Sequence, residues 1–108
     1  MSNNKQILGD SISKHGVPFQ LELLAEECAE LIVAINKCKR MGLIKDWGIP
    51  RPNSEHLVAE IASFSNLHEE IADVSIMIDK MNIILNPALI QSFKESKLKR
   101  LENLLKKP

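Results

Sequence analysis

The sequence predicts an all-α protein, a helical bundle of about four helices in which residues 1–108 form one domain. Three observations carry this expectation. Apolar residues recur at three- and four-residue spacing over long stretches. Leu, Ile, Ala, Glu and Lys, residues that favour or tolerate helix, dominate the composition. Pro or Gly stands where each periodic stretch ends.

The first segment, Asn3 to Lys14, carries Ile7, Leu8 and Ile12 and then meets His15-Gly16-Val17-Pro18, which reads as a short helix and a turn. Pro18 suits the first turn of a second helix, where its missing N–H is not needed, and the run from Phe19 to Met41 holds only tolerable helix formers. Lys37, Lys39 and Arg40 crowd the far end, where positive charge complements the helix dipole, and Gly42 is placed to stop it. Leu43 to Asn53, with two prolines and a glycine, reads as a loop, and Asn53 or Ser54 is placed to cap the third helix. Helical spacing then runs from Leu57 to Leu85, with a break expected at Ser63-Phe64-Ser65-Asn66, where the residues are weak helix formers. Asn86 caps and Pro87 opens the last helix, which extends to Lys106 and carries Leu89, Phe93, Leu98, Leu101, Leu104 and Leu105 among many lysines.

A chain of 108 residues buries only a modest core, so self-association as a homodimer or homotetramer is the natural way to cover its apolar stripes. Fourteen basic and fourteen acidic residues give a net charge of zero, which argues against a nucleic-acid polymer as partner. Three Phe, one Trp and no Tyr leave few stacking platforms for single strands. Cys28 and Cys38 have neither zinc-ligand spacing nor the geometry of a disulfide within one helix, which fits a reducing compartment. With no apolar leader and no membrane-length apolar run, the expectation is a soluble, cytoplasmic protein.

The carboxylates depart from this ordinary pattern. Turning each residue by about 100° around a helix axis groups Leu24, Cys28, Leu31 and Ile35 into one stripe of the second helix, with Leu21, Ala25 and Ile32 on its shoulder. Glu27 and Glu30 fall beyond the opposite shoulder, bordered by Leu23 and Ala34, while Glu26 points further toward solvent. On the next helix Glu70 falls inside the stripe of Leu67, Val74, Met77, Ile78 and Met81, with Asp73 at its edge. A carboxylate placed there must be protonated, paired or bound to a cation. Glu27 with Glu30, and Glu70 with Asp73, are each three residues apart, so each pair shares a face. Two such faces opposed offer four carboxylates to a hard divalent cation, as helix bundles do elsewhere. Solvated acidic strings and structural ion pairs to Lys or Arg are the competing explanations.

Glu26-Glu27-Cys28-Ala29-Glu30 followed by Glu70-Ile71-Ala72-Asp73 resembles the Glu-Glu-x-x-Glu and Glu-x-x-Asp signature of MazG-like nucleotide pyrophosphohydrolases, and the likeness covers most of the chain from Phe19 onward. Lys94 to Arg100 looks like the basic last helix of phage-type members. The resemblance implies an all-α fold and Mg²⁺-dependent hydrolysis of a nucleoside triphosphate to the monophosphate and pyrophosphate, with Mn²⁺ as an alternative ion. It maps metal ligands onto Glu27, Glu30, Glu70 and Asp73, and gives Glu26, together with Glu27, a part in orienting the attacking water. The stretch between Glu30 and Glu70 is longer than is usual between the two halves of that signature.

Phosphoryl transfer is mainly a matter of neutralising charge and placing a water, so carboxylates that hold a metal suit it. Lys97 and Arg100, three apart on the last helix, are candidates to bind the outer phosphates. His15, His56 and His68 lack ligand spacing, and Trp47 reads as a loop anchor or a base-stacking group. No Gly-rich phosphate loop and no Ser-His-Asp set is visible. Two other functions fit the same residues: a phosphoribosyl-ATP pyrophosphatase-like enzyme, which calls for a more basic site, and a non-catalytic helical interaction module with the acids in salt bridges.

Overall fold

The structure, a computed structural model, describes residues 3–42 and 57–107. The expected 43–53 loop with Trp47, the capping roles of Asn53 and Ser54, and His56 lie outside the described residues. Among those described, all regular structure is helical: α1 (Asn4–His15), α2 (Val17–Arg40), α3 (Leu57–Ile84) and α4 (Pro87–Leu105). The fold is all-α with four helices, as the periodicity predicts, and no described helix is long and apolar enough to cross a membrane.

Local chemistry sets most of the boundaries. The Asn3 side chain accepts from the Gln6 N–H at 2.7 Å, and that of Asn86 accepts from the Leu89 N–H at 3.2 Å, each satisfying a free donor of a first turn. Gly16 separates α1 from α2 at φ 84°, a conformation strained for any residue with a Cβ, and Gly42 ends α2 at φ 73°. α2 opens two residues earlier than the sequence suggests, at Val17, with Pro18 in its first turn.

The expected break at Ser63-Phe64-Ser65-Asn66 is absent, and α3 is continuous. Tertiary packing overrides the weak local preference here. Ser63 is buried, and its carbonyl accepts from the Cys38 thiol at 3.4 Å, so a small residue is what lets α2 approach. Phe64 and His68, one turn apart, stack edge to face at 4.7 Å, and the His68 ring N–H donates to the Phe64 carbonyl at 2.8 Å.

Cys38 meets Ser63 at one end of the α2–α3 pair and Gln20 meets Lys80 at the other, so the two helices run antiparallel. Their contact follows a heptad-like seam. On α3 it holds Glu60, Ser63, Leu67, Glu70, Val74, Met77 and Met81, and on α2 Gln20, Leu24, Glu27, Leu31, Ala34 and Cys38, all buried or half-buried. This corrects the α2 stripe drawn from the sequence. The contact line is rotated toward the acidic side, leaving Leu21, Ala25 and Ile32 exposed and bringing Gln20 and Glu27 inward.

The seam is closed at one end by a polar knot. Lys80, buried, donates to the Ser11 hydroxyl at 3.1 Å and to the Gln20 side-chain oxygen at 3.0 Å, while the Gln20 amide donates to the Ser11 carbonyl at 3.3 Å. Three helices therefore meet at one ammonium. α1 itself buries no residue, so this knot is a main element of its attachment.

α4 is the most loosely packed of the four helices. Among the described residues it touches α3 alone, and none of its own described residues is buried. The radius of gyration is 17.9 Å, against about 13 Å for a compact domain of this length.

Candidate metal centre

Glu27 and Glu30 lie on α2 because the helix runs unbroken from Pro18 past Ala29, and Glu70 lies on α3 at the seam position opposite. One carboxylate oxygen from each of the three lies within 4.8 Å of the others. Glu27 and Glu70 are half-buried and Glu30 is exposed, so the cluster is open to solvent at Glu30. Beside it an open depression of about 340 Å³ is lined by Glu26, Ala29, Glu30, Val33, Asn66 and Glu70.

The electrostatics of the group are dominated by burial and mutual repulsion. Burial pushes the Glu27 carboxyl above its usual range, and the charges of Glu30, Asp73 and Glu70 push it further. Burial likewise raises Glu70, with Glu30, Asp73 and Glu69 adding repulsion. Among the described residues, no Lys or Arg contributes a compensating charge to either group. One oxygen of Glu27 and one of Glu70, both Oε2, are sealed from solvent with no hydrogen-bond partner among the described residues. A sealed acceptor without a donor is costly, and a divalent cation is one group that satisfies several such oxygens together.

The residues singled out from the sequence thus fall into three sets. Glu27, Glu30 and Glu70 converge. Asp73, one turn along α3, is exposed and stands outside that set of three, near enough for its charge to act on both Glu27 and Glu70. Glu26 lines the depression but is not among the converging oxygens. Lys97 and Arg100 are on the exposed α4 and form no ion pair with the cluster among the described residues.

Two features escape the sequence reading. Asn66 forms part of the depression, one turn before Glu70, although its composition signalled only helix weakness. Glu60 is buried, and its Oε2 has no partner among the described residues, further along the seam. The three- and four-residue alternation from Glu60 to Met81 is the signal that finds it. His15 packs on Phe19 at 5.0 Å, consistent with the surface role expected of it.

The chain matches no family model, no curated protein and no solved structure.

Proposed function

We propose that this protein is a Mg²⁺-dependent nucleotide pyrophosphohydrolase of the MazG-like kind, converting a nucleoside triphosphate and water to the monophosphate and pyrophosphate. The observation that supports the reading most is the convergence of Glu27, Glu30 and Glu70 at the α2–α3 seam, with two sealed oxygens that have no partner, and no neutralising side chain, among the described residues. A structural ion pair, the main competing explanation, needs a cation, and none of the described residues supplies one to the cluster.

In this reading Glu27, Glu30 and Glu70 hold the ion, and Asp73 joins them by a small side-chain movement at the edge of the seam. Bound Mg²⁺ supplies charge neutralisation of phosphate oxygens and a more acidic water, with Mn²⁺ as a substitute. Glu26, on the rim of the depression, is placed to orient a water and accept its proton, assisted by Glu27 where that carboxylate is not fully engaged. Lys97 and Arg100 bind the outer phosphates. The enzyme works as a homodimer or homotetramer in the cytoplasm.

The test is a panel of canonical and modified nucleoside triphosphates incubated with the protein and Mg²⁺, with pyrophosphate and orthophosphate measured separately. Pyrophosphate release that EDTA abolishes is the expected result. A folded protein that is silent across the panel and binds no Mg²⁺ by calorimetry refutes the proposal.

A further inference from the structure

The depression beside the carboxylates has two chemically different ends. The Cys38–Ser63 and Gln20–Lys80 contacts fix the register of α2 against α3, which sets Glu30 across from Glu70 and Val33 nearly level with Asn66. At a rise of about 1.5 Å per residue, Val33 and Asn66 lie about 5–6 Å beyond the level of Glu30 and Glu70, one turn of helix away. Glu26, Glu30 and Glu70 crowd the first end, and Val33 and Asn66 form the second, with Ala29 between. Among the described residues, the second end is lined by no charge.

Asn66 is an unusual residue for its place. Asn favours caps and turns over helix interiors, yet this one sits in mid-helix, exposed. Other polar residues of α3 turn back onto their own helix, Ser75 donating to the Ile71 carbonyl at 2.7 Å and Asn82 to the Ile78 carbonyl at 3.2 Å. Asn66 makes no such bond among the described residues and lines the depression instead. Its amide offers one group that donates and one that accepts to whatever enters.

We propose that this second end takes the pentose of the substrate, with the carbon face of the sugar against Ala29 and Val33 and its 3′-hydroxyl hydrogen-bonded to Asn66. The assignment rests on the reading of the carboxylates as a metal and phosphate site. Going outward from the α-phosphorus, the 3′-hydroxyl is the first hydroxyl of a nucleoside, and the 2′-hydroxyl and the base edge lie further on. With the α-phosphate held at the level of Glu30 and Glu70, one turn of helix brings Asn66 to that first hydroxyl. The depression, about 340 Å³, is at the small end for a ligand site, so it takes a sugar phosphate and leaves the base beyond its rim. A site of this kind reads the sugar and tolerates a change of base.

Asn66→Ala tests the assignment, and because alanine is the better helix former the variant keeps α3 intact. For each common base, kcat/KM with Mg²⁺ is measured on the 2′-deoxynucleoside triphosphate and on its 2′,3′-dideoxy counterpart. The wild type is expected to favour the hydroxylated substrate by about three- to tenfold, the worth of one neutral hydrogen bond. Asn66→Ala is expected to lose that preference by slowing on the deoxy substrate alone, with dideoxy turnover and Mg²⁺ affinity unchanged. A wild type that treats the two alike, or a variant that slows equally on both, overturns the sugar assignment and leaves the pyrophosphohydrolase reading standing. A second measurement needs no turnover: calorimetry with Mg²⁺ and the α,β-imido analogues of the same pair. A wild type that hydrolyses nothing, yet binds the deoxy analogue more tightly than the dideoxy one and loses the difference in Asn66→Ala, keeps the sugar site and refutes the hydrolase. Absence of binding to either analogue refutes both.

Discussion

The knot of Lys80, Gln20 and Ser11 offers a perturbation whose size can be worked out and whose effect should reach the carboxylates without touching them. Lys80→Met leaves the side-chain oxygen of Gln20, a residue with no exposed surface, without its donor at 3.0 Å. Gln20→Leu keeps similar volume and leaves a buried ammonium with Ser11 alone. Each removes a hydrogen bond to a charged group and orphans a buried partner, so each should cost about 2–3 kcal/mol. For a domain of this size that lowers Tm by about 10 °C or more. The double variant removes both partners together and should recover about 1–2 kcal/mol of the summed loss, which is the coupling between contacting residues. The carboxylates sit between this knot and the Cys38–Ser63 contact, so loosening one end should also weaken Mg²⁺ binding several-fold. Urea titrations of the three variants give the cycle, and calorimetry gives the Mg²⁺ affinity. Strictly additive losses, or single variants within about 0.5 kcal/mol of wild type, would refute the reasoning.

At the site, Glu70→Gln should abolish Mg²⁺-dependent turnover while the metal-free protein melts at the same or a higher temperature, because an amide removes repulsion from Glu30 and Asp73; a large fall in apo Tm would contradict this. The raised carboxyls of Glu27 and Glu70 bind protons more tightly folded than unfolded. Their stabilising contribution is therefore full below the unfolded value of 4.5 and is lost as pH rises through the raised folded values. Without metal, this pair favours stability on the acid side of neutrality, whereas Mg²⁺ binding should release protons and tighten as pH rises; melting curves across pH with and without Mg²⁺ check both signs, and a pH-independent Mg²⁺ affinity would count against them. Asn86→Ala should destabilise the start of α4 by about 1 kcal/mol through loss of its cap, read as faster amide exchange over Leu89 and Ile90 with little change in α2.

Much of this architecture is legible in the sequence because its signals are local. Pro18, Gly42 and the Asn86-Pro87 pair are boundary residues whose backbone chemistry acts within one turn, and the helices begin and end close to them. The unbroken α3 was not legible, since what keeps Ser63 to Asn66 helical is contact with α2 across the seam, and propensity does not report such a contact. The same limit governed the α2 face. Leu24, Cys28, Leu31 and Ile35 make the more hydrophobic stripe, but Gln20 can be buried because Lys80 and Ser11 answer its polar groups, and partners from other helices are invisible to a single-helix projection. For the site, the spacing of Glu27, Glu30 and Glu70 and the apolar setting of Glu70 were enough to bring them under suspicion, and they converge. Asp73 stands apart because a residue at a stripe's edge can turn either way, and α4 stands apart because its apolar face meets no counterpart among the described residues beyond its contact with α3.

The Cys38 thiol gives the seam a built-in reporter. It has no exposed surface, it donates to the Ser63 carbonyl, and burial pushes its pKa up with only partial relief from Lys37. A thiol reagent can reach it only when α2 and α3 separate, whereas the half-exposed Cys28 on the same helix is open to labelling in the native state. The slow phase of alkylation therefore times the opening of the helix pair that holds the carboxylates. Followed with and without Mg²⁺ in the unaltered chain, it would show how far the ion clamps that opening, with Cys28 as the control for reagent chemistry.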